Sequence, residues 1–173
     1  NKMIAFFNKS GGTYDQFSLY GTKYDGILKK GGASTLFDFC SIFYDEAIVE
    51  GVLPEVAFSQ AMLETGFLKF GGIVTPDKYN FAGLGATGEG NNSNQFKDVR
   101  TGIRAQIQHL KACASVEPLK NECVDQRFQY VTRGSATYVE WLGRQENPNG
   151  VGWATSKNYG HKIVDLMSKL YEC

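Results

Sequence analysis

Stretches of this chain repeat apolar residues at helical spacing, and that repetition restricts the fold more than any other feature. Leu36, Cys40, Phe43 and Ala47 recur at i, i+4, i+7 and i+11, which puts them on one stripe of an α-helix. Ser34 or Thr35 can cap its start, and Gly51 can close it in a left-handed turn. Pro54 suits the first turn of a second helix, "PEVAFSQAMLE", with Gly66 at its end. Val99, Ile103, Ile107, Leu110 and Ala114 make a further stripe with Asp98 or Thr101 as cap. Tyr159, Ile163, Leu166 and Leu170 make the last, and two shorter helical segments are expected between residues 122 and 143. Each stripe has to be covered by another, so the chain should be mainly helical.

The remainder is not helical in pattern. Residues 71–97 contain "TPDKYN" and "GATGEGNNSNQF", too rich in Gly and Asn for a helix, and predict short strands or a hairpin lobe around "GEGNNSN". Residues 1–33 show scattered glycines and tyrosines without a sustained period and read as an arm or lead-in, leaving residues 34–173 as the domain. A length of 173 residues suffices for one domain with its own core, and no repeat of solenoid length is present.

Charge and cysteine usage narrow the partners. Eighteen basic residues balance eighteen acidic ones, which argues against nucleic acid, since neutralising phosphates needs a basic surplus on some face. No apolar run approaches the roughly 18 residues of a membrane span. The chain starts at Asn1 without a charged-then-apolar leader, so any signal or anchoring segment is expected outside it. Cys40, Cys113, Cys123 and Cys173 match no zinc spacing. Cys113 and Cys123 bracket a short loop and could pair, although free thiols are the preferred reading.

One acidic residue stands out. Ala57, Gln60, Ala61 and Glu64 share a face of the second helix, and Glu64 lies in its last turn, just before "TGFLKF". The negative end of the helix dipole disfavours an ionised carboxylate there by roughly 0.3–1 kcal/mol. Phe67, Phe70 and Phe81 are close enough in sequence to desolvate it, which acts in the same direction. A glutamic acid that keeps its proton near neutrality is what general-acid cleavage of a glycosidic bond requires. A solvated helix-end charge is the plain alternative.

The surrounding motifs favour the chemistry. "AFSQAMLETGFL", "YNFAGLGATGEG", "FKDVRTGIRAQIQHL" and "GWATSKNYGHKIVDLM", in that order, resemble the bacterial peptidoglycan N-acetylglucosaminidases of glycoside hydrolase family 73, the glucosaminidase domain of autolysins and flagellar muramidase-like proteins. The resemblance runs from about Leu36 to the C-terminus. It implies a lysozyme-like helical lobe and a small β-hairpin or irregular lobe with a cleft between them. It also implies an endo-β-N-acetylglucosaminidase that hydrolyses the β-1,4 bond between N-acetylglucosamine and N-acetylmuramic acid, with Glu64 as general acid. Glu89, in "GATGEGNN", is the candidate second acid; Asp98 reads better as an N-cap. Tyr159 matches a family tyrosine beside the scissile bond, or is simply the first knob of the terminal stripe. Trp153 resembles a cleft-wall aromatic, and Tyr79, Asn80 and Gly83 fall in the family's cleft-floor stretch. His161 shares a polar face with Asp165 and Ser168 and reads as solvated, while His109 carries no signal.

Two routes fit these residues. Glu89 can activate water in an inverting reaction, for which the carboxylates should stand roughly 6.5–9.5 Å apart. Alternatively the substrate's acetamido oxygen attacks first, with Tyr159 holding it, and configuration is retained. Neither needs a metal or an organic cofactor. The expected partner is a peptidoglycan glycan strand met by a secreted or cell-wall-associated monomer. A lytic transglycosylase leaving 1,6-anhydro ends, and a non-catalytic peptidoglycan-binding domain, are the competing readings.

Overall fold

A computed structural model of the chain describes residues 1–86 and 93–173. Its helices are α1 (Lys2–Lys9), α2 (Ile27–Lys30), α3 (Leu36–Glu50), α4 (Pro54–Thr65), α5 (Val99–Ala114) and α6 (Tyr159–Tyr171). The architecture is mainly helical, consistent with a lysozyme-like lobe. The long helices begin and end where local chemistry directs. Thr35 caps α3 in a capping box with Asp38, and Gly51 closes it at φ 72°. Pro54 opens α4, and Gly66 ends it at φ 57°. The Asp98 carboxylate accepts from the Thr101 N–H at 2.7 Å to start α5, as an N-cap should. The shorter segments between 122 and 143 are 3-10 turns at Phe128–Tyr130 and Val139–Leu142.

Helix α4 packs on α6 and α3, and α3 also packs on α5. Phe39, Phe43, Phe58 and Phe81 are fully buried at this junction. Their rings meet edge to face, Phe39 with Phe43 at 5.3 Å, Phe39 with Phe81 at 5.2 Å and Phe43 with Phe58 at 5.6 Å. Residues 1–33, read as an arm or lead-in, join the same core. Met3, Phe6 and Phe7 on α1, then Phe17 and Leu28, are all buried, and α1 lies against α6 and α3.

The stretch from 71 to 97 has no strand among its described residues; it holds a 3-10 turn at Pro76–Lys78 and otherwise turns and bends. The middle of the expected hairpin, residues 87–92, lies outside the described residues. A side chain replaces the ladder here. The buried Asn80 amide donates to the carbonyls of Leu84 at 2.8 Å and Asn94 at 3.0 Å, and its oxygen accepts from the Leu84 N–H at 3.1 Å. The Asn94 N–H closes onto the Leu84 carbonyl at 2.8 Å. One amide therefore clasps both arms of the loop, and their polar groups need no sheet partner. Among the described residues the only β pairing is a single parallel bridge between Gly143 and Ala154. Cys40, Cys113, Cys123 and Cys173 are all free thiols. No helix among the described residues is long and apolar enough to cross a membrane.

Candidate active site

The end of α4 builds one wall of the site. Beyond Gly66 the backbone stays left-handed at Phe67 (φ 55°), Leu68 (φ 62°) and Phe70 (φ 60°), a region non-glycine residues seldom occupy. Hydrogen bonds hold it there: Phe67 N–H to the Met62 carbonyl at 2.9 Å, Phe70 N–H to the Thr65 carbonyl at 2.7 Å, and Leu68 N–H to the Thr65 hydroxyl at 3.0 Å. The turn buries Leu68 and swings Phe70 back beside Glu64, where with Phe81 it lines a cavity of about 200 Å³. Phe67 leaves the site and packs edge to face on Phe6 at 5.3 Å. Two of the three expected phenylalanines thus shield the carboxyl.

Glu64 keeps an open face toward a groove, yet surrounding protein desolvates its carboxyl and raises its pKa above the ordinary carboxylate value. A hydrogen bond from Tyr159 partly offsets that rise. The phenol donates to Glu64 Oε1 at 2.6 Å. Burial, with the Glu64 charge adding to it, pushes the Tyr159 pKa well up, so the phenol stays protonated and available as a donor. Among the described residues no cation forms an ion pair with Glu64.

Behind Tyr159 runs a buried line of amides. Gln60 Nε2 donates to the Tyr159 oxygen at 3.0 Å, and Gln106 Nε2 donates to Gln60 Oε1 at 2.9 Å and to the Ala57 carbonyl at 2.8 Å. The polarity of this line follows from its far end. A backbone carbonyl can only accept, so Gln106 must turn its NH₂ toward Ala57. The same NH₂ then meets Gln60 Oε1, which sends the Gln60 NH₂ to the phenol oxygen. The phenol proton is left pointing at Glu64. In the sequence Gln60 shares the Glu64 face, while nothing in the helical stripe of α5 singles out Gln106 as its partner. The available signal was a glutamine three residues after Ile103, on the apolar face of α5, where it is fully buried.

The other oxygen of Glu64 faces the loop. Gly83 is left-handed at φ 66°, and a Cβ built there would stand 3.2 Å from Glu64 Oε2. Glycine lets the backbone approach the carboxyl without a side chain against Oε2, and both residues line one groove. Asn80 holds that loop in place. Trp153 forms the opposite wall, donating from Nε1 to the Ala82 carbonyl at 3.2 Å and lining, with Glu64, Gly83, Arg127 and Arg144, a groove of about 520 Å³. His109 turns out to support that wall, its ring edge to face with Trp153 at 4.5 Å and its Nδ1 2.7 Å from Asp125 Oδ2. His161, Asp165 and Ser168 are exposed together on α6.

The site brings together Glu64, Tyr159, Asn80, Gly83 and Trp153. Tyr79 is placed elsewhere: it is buried, and its hydroxyl donates to the Ile27 carbonyl at 3.0 Å. Glu89 lies outside the described residues. Among the described residues no group of His, Cys, Asp or Glu side chains gathers as a metal site would require.

Residues 40–172 match the Glucosaminidase family, described as mannosyl-glycoprotein endo-beta-N-acetylglucosaminidase. An uncharacterized protein of Borreliella burgdorferi is 41% identical over 131 residues, covering 75% of this chain and 60% of that relative. The chain thus spans somewhat under two thirds of the relative's length. No solved structure gives a significant match.

Proposed function

The chain belongs to the Glucosaminidase family, and from that premise we propose that it hydrolyses the β-1,4 bond between N-acetylglucosamine and N-acetylmuramic acid in peptidoglycan. Glu64 is the general acid. The observation that carries this reading is the division between its oxygens: Oε1 is held by the Tyr159 phenol at 2.6 Å, and Oε2 stands beside Gly83, which lines the same groove as Glu64. The proton therefore belongs on Oε2, from which it passes to the glycosidic oxygen as the bond breaks. The carboxylate left behind gains from the phenol donor, because hydrogen bonds to a charged acceptor are stronger than those to a neutral one. Tyr159 is thus placed to favour the charge that develops during transfer.

Trp153 offers a ring face for stacking a sugar, and Asn80 keeps the floor loop in register. Glu89 is proposed as the base that activates water; Glu89→Ala should then lose most of its turnover, and a rate near that of the unaltered protein would favour attack by the substrate's acetamido group. Since the Tyr159 hydroxyl is committed to Glu64 and Gln60, it acts through the acid. The substrate places the protein outside the cytoplasm, in or near the cell wall.

The experiment is digestion of purified peptidoglycan with the unaltered chain and with Glu64→Gln. New N-acetylglucosamine reducing ends should appear only with the former. 1,6-Anhydro ends in the mass spectrum would make the protein a lytic transglycosylase. Binding without release of any ends would make it a wall-binding domain.

A further inference from the structure

The groove that holds Glu64 continues past Trp153 into a second cavity of about 240 Å³, and Arg127, Arg144 and Trp153 line both. We propose that Arg127 and Arg144 form a subsite for a carboxylate carried by the glycan strand, an assignment that rests on the peptidoglycan reading above.

The other arginines show what is unusual about this pair. Arg100 and Arg104 are ion-paired to Glu46, and Arg133 donates to the carbonyls of Ser115 and Glu117. Arg127 and Arg144 form no ion pair among the described residues. Arg144 is tethered through Nε to the Gly152 carbonyl at 3.3 Å, and its backbone N–H bonds the Ala154 carbonyl at 2.9 Å. Both tethers flank Trp153 and leave the terminal guanidinium nitrogens without a hydrogen bond among the described residues. The Arg127 guanidinium lies over the Tyr130 ring at 5.1 Å, a contact that orients it without consuming a donor. Asp125, the acid nearest Arg127 in sequence, is already engaged, with Oδ2 at His109 and Oδ1 accepting the Arg127 backbone N–H at 2.9 Å.

The chain carries no net charge, so two guanidinium groups without counterions among the described residues, beside one groove, are a local surplus of positive charge. Their planar forks suit a carboxylate. A sugar stacked on Trp153 would carry its ring substituent toward them. On N-acetylmuramic acid that substituent is a lactyl ether, which ends in a peptide stem bearing carboxylates or, once stripped, in its own carboxylate. A strand of N-acetylglucosamine alone has neither, so the pair would favour peptidoglycan over neutral chitin-like chains.

Affinity for three soluble ligands tests this, measured with the Glu64→Gln chain so that nothing is cut: stem-bearing peptidoglycan fragments, fragments stripped by an amidase, and a chitooligosaccharide. Replacing both Arg127 and Arg144 by alanine should weaken binding of carboxylate-bearing fragments roughly five- to tenfold. Binding of the chitooligosaccharide should stay within about twofold, and the double lysine variant should fall between. Loss confined to stem-bearing fragments assigns the pair to stem carboxylates; loss on stripped fragments as well assigns it to the lactyl position. Equal loss on the neutral oligosaccharide, or no loss on any ligand, overturns the subsite. Binding needs no turnover, so a failed hydrolysis assay on the unaltered chain would remove the proposed reaction and still leave this result readable.

Discussion

Glu46 and Glu50 on α3 and Glu64 on α4 are all desolvated carboxylates, yet they are handled in opposite ways. Burial pushes Glu46 upward, but hydrogen bonds and charge from Arg104 and Arg100 outweigh it and hold the carboxyl below its ordinary range. Glu50 behaves alike: burial is overcome by the backbone N–H groups of Asn121 and Lys120 and by Lys111, 2.9 Å away. Glu64 as a residue has more open surface than either, yet the protein around its carboxyl desolvates it and raises its pKa, and its hydrogen bond from the neutral Tyr159 phenol offsets that rise only in part. All three carboxyls are pushed up by burial, and the sign of the net shift follows whether charged or multiple donors outweigh it. A clamped carboxylate serves the architecture; an unclamped one holds its proton more tightly than an ordinary glutamate.

The contrast can be tested from both sides. The largest expected effect is on turnover: Glu64→Gln should reduce peptidoglycan hydrolysis at least about a hundredfold, the low end for losing a general acid. Next is stability. Lys111→Met strands a buried carboxylate and should cost about 3 kcal/mol or more, read by denaturant unfolding, with little change in pH optimum. Tyr159→Phe should lower turnover roughly tenfold, about the value of a hydrogen bond to a charged group. It should also move the alkaline limb of the rate profile to higher pH, since it removes the interaction that lowers the Glu64 pKa.

The smallest effects lie in stability against pH. Glu46 and Glu50 have depressed folded-state pKa values, so their contribution is present above about pH 4.3 and is lost as pH falls through the folded values. Glu64 has a raised one, so its contribution is present below about pH 4.3 and is lost as pH rises. Glu64→Gln should therefore be at least as stable as the parent at neutral pH, with the gap closing in acid. Thermal melts across pH 3–8 would show whether the two classes move in opposite directions.

Much of the scaffold was legible because its signals are local. Thr35, Gly51, Pro54, Gly66 and Asp98 act on backbone groups within a few residues, and the apolar stripes they bound are the faces buried between helices. What escaped depends on distant partners. Met3, Phe6 and Phe7 make a helical stripe too short to stand out, and α1 finds its cover on α3 and on α6 at the far end of the chain. The Gly- and Asn-rich stretch suggests short strands or an irregular lobe, and in its described part the buried Asn80 amide, reaching Leu84 and Asn94 across the loop, stands where a ladder would. At the site, Glu64 was legible from its helix end. The line from Gln106 through Gln60 to Tyr159 was not, since it joins three helices and exists only once they pack.

Titration of the glutamate side-chain carboxyl carbons by NMR, with Glu64, Glu46 and Glu50 assigned through their glutamine variants, reads the opposed shifts of the three carboxyls site by site. The Glu64 midpoint should lie above the ordinary glutamate value of about 4.3 and rise further in Tyr159→Phe, with Glu46 and Glu50 below it. A Glu64 midpoint at or below that of Glu46 and Glu50 would contradict that order.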